Sequence, residues 1–149
     1  MSTIDKTGVG PTLGVKPVGA TGRVYVIKNT IDLTDGVITQ ADVYQCLAIP
    51  AKTKVVETCY RSLTAAVGTT LTMDIGDGSA TNGWDASVDG KSAAGIESFA
   101  ANGTDARAVA TGNGYYYDTA DSIDIVMTTA TAITAGPKFE LFALCVDYS

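Results

Sequence analysis

Regular structure in this chain is signalled in one way only, by short runs rich in Val, Ile, Thr, Tyr and Phe set between turn residues. Arg23 to Asn29, Asp42 to Ile49, Thr53 to Leu63, Thr70 to Ile75, Ser122 to Thr128 and Lys138 to Tyr148 all have this character, the signature of β-strands. Alternation within the runs assigns faces. Leu71, Met73 and Ile75 point inward against Thr70, Thr72 and Asp74, and Ile123, Ile125 and Met127 oppose Ser122, Asp124 and Val126. Val43, Gln45, Leu47 and Ile49 alternate with Tyr44, Cys46 and Ala48 until Pro50, which lacks the N–H a ladder needs. Val55, Glu57, Cys59 and Arg61 oppose Val56, Thr58, Tyr60 and Ser62, so neither face is wholly apolar, as expected near a sheet edge. In the last run Phe139, Leu141, Ala143 and Cys145 back onto Phe142, Leu144, Val146 and Tyr148; a strand apolar on both faces belongs in the middle of a sheet. With further short strands readable in Val37 to Thr39 and Asp105 to Thr111, the expected fold is all-β, an antiparallel β-sandwich such as a jelly roll.

The 149 residues make one domain, large enough to bury roughly two thirds of its unfolded surface without a disulfide framework. Cys46, Cys59 and Cys145 are odd in number and lie within strand-like runs, so they read as small buried thiols. There is neither a long apolar run nor a basic-then-apolar leader, so no membrane partner is expected and folding is expected in the cytosol. The net charge of −6 argues against a nucleic-acid partner, because phosphate binding is carried by clustered Lys and Arg. Its distribution is uneven. Residues 1–28 carry Lys6, Lys16, Arg23 and Lys28 against Asp5, a net +3, which leaves −9 on residues 29–149.

That basic end is also the least regular. Gly8, Gly10, Pro11, Gly14, Pro17, Gly19 and Gly22 interrupt helix and ladder alike, dividing the chain into an extended arm, residues 1–22, and a sandwich, residues 23–149. The arm is either a frayed terminus or a strap that docks on a neighbouring subunit or on a host surface. Gly76 to Tyr115 is a second irregular stretch, rich in Gly, Ala and Asp; loops this long are usually functional or conceal short strands. It holds the single tryptophan, Trp84, either a loop anchor or an exposed contact. It ends on Tyr115, Tyr116 and Tyr117, of which Tyr115 and Tyr117 share a strand face and Tyr116 takes the other. These rings suit packing over the open end of the sandwich, an interface, or sugar stacking.

Reactive chemistry is scarce. Without histidine the chain cannot assemble a Ser-His-Asp or Cys-His arrangement or an imidazole metal site. Asp74, Asp77, Asp85 and Asp89 lack the spacing of a calcium loop and are explained as turn formers. Gly112-Asn113-Gly114 lacks the context and lysine of a phosphate loop. No catalytic residue, cofactor or metal is assigned.

Several short motifs follow one another in a distinctive order. They are Ala48-Ile49-Pro50-Ala51, Leu71-Thr72-Met73-Asp74-Ile75-Gly76-Asp77-Gly78, Asn82-Gly83-Trp84, Gly114-Tyr115-Tyr116, Thr119 to Ile125, and Thr134-Ala135-Gly136-Pro137-Lys138 leading to Cys145-Val146-Asp147-Tyr148. Over about residues 42–149 this order resembles small virion proteins of tailed bacteriophages, the capsid decoration or cement proteins. The resemblance implies a jelly-roll-like fold, a homotrimer, the major capsid protein as partner, and a place on the outer surface of the head after synthesis in the host cytoplasm. It implies no enzyme activity and carries over no catalytic residue. On that reading Lys6, Leu13, Lys16 and Arg23 in or beside the arm, and Trp84, Tyr115, Tyr116 and Tyr117 in the body, are the candidate capsid or subunit contacts. The competing expectation is a receptor- or carbohydrate-binding module of a tail or head fibre, built on Trp84 and the tyrosines. A catalytic jelly roll ranks last.

Overall fold

The computed structural model describes residues 3–5, 22–95, 97–99 and 114–149. Ten strands and no helix occur among them. They are β1 (Thr3–Asp5), β2 (Val24–Asp32), β3 (Val43–Ile49), β4 (Thr53–Thr64), β5 (Thr70–Gly76), β6 (Asp85–Asp89), β7 (Glu97–Phe99), β8 (Tyr115–Tyr117), β9 (Asp121–Thr131) and β10 (Lys138–Asp147). The first sheet runs β1-β3-β9-β5-β6 and the second β2-β10-β4-β7, with β8 also on β4. Pairing is antiparallel except for β1 on β3. Nearly every connection passes from one sheet to the other, and only β5 and β6 are sequence neighbours that also pair. That interleaving is jelly-roll topology.

Inward side chains from both sheets fill the space between them. Tyr44, Leu47, Ile49, Leu71, Met73, Ile75, Ile123, Ile125 and Met127 meet Ile27, Ile31, Val55, Tyr60, Phe139, Leu141, Ala143 and Cys145. Asn29 stitches the layers by donating Nδ2–H to the Cys46 carbonyl at 2.9 Å. All three cysteines are free thiols, and burial pushes the Cys145 thiol up to about 12, far from thiolate reactivity.

The inward alternation read for β5 and β9 is the observed one, and β10, read as apolar on both faces, is central, flanked by β2 and β4. Two other alternations fail, each at a bulge. In β3 the partner register steps from Gln45–Asp124 to Leu47–Ile123, so Cys46 is the extra residue and Tyr44 and Leu47 share the inner face. In β4 the step from Val55–Cys145 to Glu57–Leu144 makes Val56 extra, placing Val55 inside with Thr58, Tyr60 and Ser62. A bulge advances the chain one residue without a partner and inverts every later side chain. Val37 to Thr39 is loop, not strand, while Asp105 to Thr111 lies outside the described residues. Within the stretch read as an arm, Thr3–Asp5 forms an edge strand on β3.

Candidate contact surface

The sandwich is closed at one end by a hydrogen-bonded plug. Asp77 follows β5 and folds the next turn back on itself: its Oδ1 accepts from the Ser79 N–H at 2.9 Å, the Ser79 hydroxyl at 2.9 Å and the Ala80 N–H at 3.0 Å. Gly76 permits that reversal, since a Cβ there would stand 2.0 Å from the Ala80 carbonyl oxygen. The other carboxylate oxygen of Asp77 accepts the Tyr117 hydroxyl at 2.8 Å, and Trp84 Nε1–H donates to that hydroxyl at 3.3 Å. Trp84, Tyr117 and Asp77 thereby tie the first sheet's turn to the second sheet's β8. All three are buried.

This corrects the assignment of Trp84 and Tyr117 as contact residues. Their ring area and polar tips are committed inside the fold, so neither offers a face to a partner or a sugar. Gly76 to Gly90 is accordingly not a free loop. Asp77, Asp85 and Asp89 each accept a backbone N–H from one or two positions on, from Ser79, Ala86 and Lys91 respectively, and Asp74 accepts one across the β5–β6 pair, from Ser87. Among the described residues no group of three or more His, Cys, Asp or Glu is arranged to hold a metal ion.

Tyr115 and Tyr116 are exposed. Strand alternation separates them as read from the sequence: Tyr115 packs edge-on against Tyr117 at 4.9 Å between ring centroids, whereas Tyr116 meets Tyr148 at 5.9 Å on the outer face. Gly114, at φ +81°, admits β8 to this position; a Cβ would lie 2.3 Å from the Val55 carbonyl oxygen. Arg23 is exposed at the head of β2, its carbonyl accepting the Asp147 N–H at 3.1 Å. Lys6, Leu13 and Lys16 lie outside the described residues.

Register gathers around these residues a surface that sequence reasoning missed. Across the outer face of the second sheet, Val24 stands opposite Val146, Val26 opposite Leu144 and Lys28 opposite Phe142. Lys54 stands between Val146 and Tyr116. The result is an apolar area of Val24, Val26, Leu144, Val146, Tyr116 and Tyr148. It borders a charged band in which Glu140 pairs with Lys28 at 2.7 Å and Arg61 at 3.4 Å. Lys28 also lies over the Phe142 ring at 5.4 Å, and Lys138 meets Asp32 at 2.9 Å. The Thr34 hydroxyl, at 2.6 Å, and then Lys138 hold the Asp32 carboxyl down at about 2. The missed signal was present: Val24 and Val26 alternate with inward Tyr25 and Ile27, an apolar repeat on both faces of one strand.

The outer face of the first sheet is different. A shallow groove of about 300 Å³ is lined by Gln45, Ala48, Ala120, Asp121 and Ser122. Beside it Asp124 is buried despite facing outward, with the Ser122 hydroxyl donating to its Oδ1 at 2.7 Å. Desolvation raises its carboxyl to about 6 against that hydrogen bond, with Asp121 and Asp77 adding to the rise.

No protein-family model matches the sequence, and no curated protein matches it. Solved structures do. One chain described as "Capsid of Ralstonia phage GP4" aligns with a TM-score of 0.71 at 17% identity, covering 99% of both chains. Another, "Cyanophage Pam1 capsid asymmetric unit", aligns at 0.62 with 18% identity over 91% of this chain and 92% of that one. A third, "Acidic stable capsid structure of Helicobacter pylori bacteriophage KHP30", aligns at 0.57 with 15% identity over 85% and 89%. At these identities the likeness is one of fold.

Proposed function

We propose that this chain is a virion structural protein of a tailed bacteriophage, specifically a decoration or cement protein. It binds the outer surface of the head as a homotrimer, contacts the major capsid protein and stabilises the capsid lattice. The observation that supports this reading most is end-to-end agreement: nearly the whole of this chain and nearly the whole of a chain from a phage capsid share one fold. A common jelly roll inside a larger protein would not give that match in length.

The physics suits the role. A protein that binds only the assembled lattice adds its association energy to the lattice's stability, which requires a stiff body and broad contacts rather than a reaction centre. The sandwich supplies the body, and its second sheet presents exposed apolar and aromatic groups. Residues 2–22 act as a docking strap, with Lys6, Leu13 and Lys16 as its contacts and Arg23 as a contact beside it. Burial of Trp84 and Tyr117 counts against the carbohydrate-binding alternative, which needed those rings at the surface.

Mass-spectrometric counting of this chain in purified particles tests the reading. A copy number comparable to that of the major capsid protein is expected; a few copies per particle would assign the chain to the tail or a vertex. Co-sedimentation with heads lacking the protein should be stoichiometric, and deletion of residues 2–22 should weaken retention.

A further inference from the structure

We infer that Asp124 is a proton-operated latch on the turn that closes the sandwich: with its carboxyl protonated, residues 77–83 are held against the first sheet, and with the carboxyl ionised they open more readily. The latch is a property of the fold and stands whatever the chain binds.

Position is the first support. Asp124 lies on β9, in the middle of the first sheet, and faces outward between Gln45 on β3 and Gly76 on β5. It is nevertheless only 6% exposed. Ile75 points inward, so Gly76 faces out beside Asp124, within the ~5 Å that separates opposed positions on paired strands. The turn after β5 is folded down at that point: a Cβ on Gly76 would stand 2.0 Å from the Ala80 carbonyl oxygen and 2.4 Å from that of Thr81. The turn that carries Asp77 into the plug therefore starts beside the Asp124 carboxyl.

Charge is the second. Its own strand contributes Asp121 and the Ser122 hydroxyl, which donates to the Asp124 carboxylate at 2.7 Å. The turn contributes Asp77, and β5 contributes Asp74, two residues before Gly76 on the same face. From β3 comes the neutral Gln45, beyond which β1 brings Asp5 into register. Every titratable group in this set is acidic, and among the described ion pairs none gives Asp124 a cation. Ionised, the carboxylate is desolvated and repelled, with one hydroxyl in compensation. Burial first, against the Ser122 hydrogen bond and with Asp121 and Asp77 adding, lifts the carboxyl from 3.8 to about 6.

Which part moves follows from how each is held. β9 is laddered to β3 along one edge and to β5 along the other, whereas the turn relies on the Asp77 and Gly83 N–H groups bonded to the Ala80 carbonyl and on the Trp84 N–H bonded to Ile75. Gly78, Ser79 and Thr81 are exposed. Local opening is drawn from such segments. A protonated Asp124 presents an O–H donor beside the Ala80 and Thr81 carbonyl oxygens; an ionised one sets negative charge against those oxygens and against Asp77. Opening returns the carboxyl to water and to its ordinary value of 3.8, so opening grows as pH climbs from 3.8 to about 6 and levels off above.

Hydrogen exchange of the full chain, read by NMR and corrected for the intrinsic pH dependence of exchange, tests the latch, with circular dichroism confirming that each variant is folded. The Gly83 and Trp84 backbone N–H groups and the indole N–H of Trp84, the single tryptophan, should exchange faster than the amides of β10. Their protection should fall roughly tenfold between about pH 4 and about pH 7. Asp124→Asn keeps the shape and removes the charge, so it should abolish that step. Asp121→Asn should move the upper end of the step to lower pH and Ser122→Ala to higher pH, since one removes a repelling neighbour and the other a hydrogen bond to the carboxylate. Turn protons that exchange no faster than β10, or protection that ignores pH, overturn the inference. So does a step that survives Asp124→Asn, or one whose upper end neither neighbouring variant moves.

Discussion

The two sheets are alike on the inside and unlike on the outside. Both inner faces are largely aliphatic and aromatic. Outwardly the first sheet shows Gln45, Ser122, Asp124, Asp74 and a Thr72–Thr128 hydroxyl pair 3.0 Å apart, whereas the second shows Val24, Val26, Leu144, Val146, Tyr116 and Tyr148. Fold stability asks only for the inner faces. The outer difference is therefore not something the fold itself requires.

That comparison can be broken at its foundation. Leu71→Ala in the first sheet and Leu141→Ala in the second should each cost about 2–5 kcal/mol, since both side chains are fully buried. Chemical denaturation measures both, and a cost under about 1 kcal/mol at either would show that the inner faces are not equivalent. The plug joining the sheets comes next. Tyr117→Phe removes the hydroxyl that donates to Asp77 and accepts from the Trp84 N–H in a buried setting, at a cost of about 1–3 kcal/mol that the same denaturation experiment reads.

The outer faces diverge in their response to acid. Asp124 holds its proton up to about pH 6 when folded, against 3.8 for the ordinary carboxyl. Between those values the folded state keeps a proton that the unfolded state has lost, so stability falls as pH rises through the window. With solvent screening allowed for, the effect is up to about 2 kcal/mol. Asp124→Asn should flatten the profile and stabilise the protein at pH 7; a melting-temperature profile unchanged by the substitution would remove Asp124 as its cause. Val26→Ser on the second sheet should move stability by no more than about 0.5 kcal/mol, as chemical denaturation reads it. A large loss of stability would mean that Val26 serves the fold.

The strands themselves were legible because period-two alternation is a local property. Leu71, Met73 and Ile75, or Phe139 and Leu141, announce their faces without reference to anything distant. The bulges at Cys46 and Val56 were not legible, since an unpaired residue is defined only by the strand opposite it. Trp84 and Tyr117 were recognisable as special but not as partners of each other. They are 33 positions apart and meet only because β8 pairs with β4 while the turn after β5 folds inward. Three of the candidate contacts, Lys6, Leu13 and Lys16, lie in a stretch whose glycines and prolines carry no periodic signal at all.

Composition and alternation alone determined that this chain is an all-β sandwich without the histidine chemistry of most hydrolytic sites, since both are written residue by residue. Which strands neighbour one another, which rings are spent in the interior, and which outer face is left apolar were decided only when the sheets paired. The physical reason is that ladder hydrogen bonds are the same for any sequence, so partner choice is made by the burial that the whole assembly of strands achieves together.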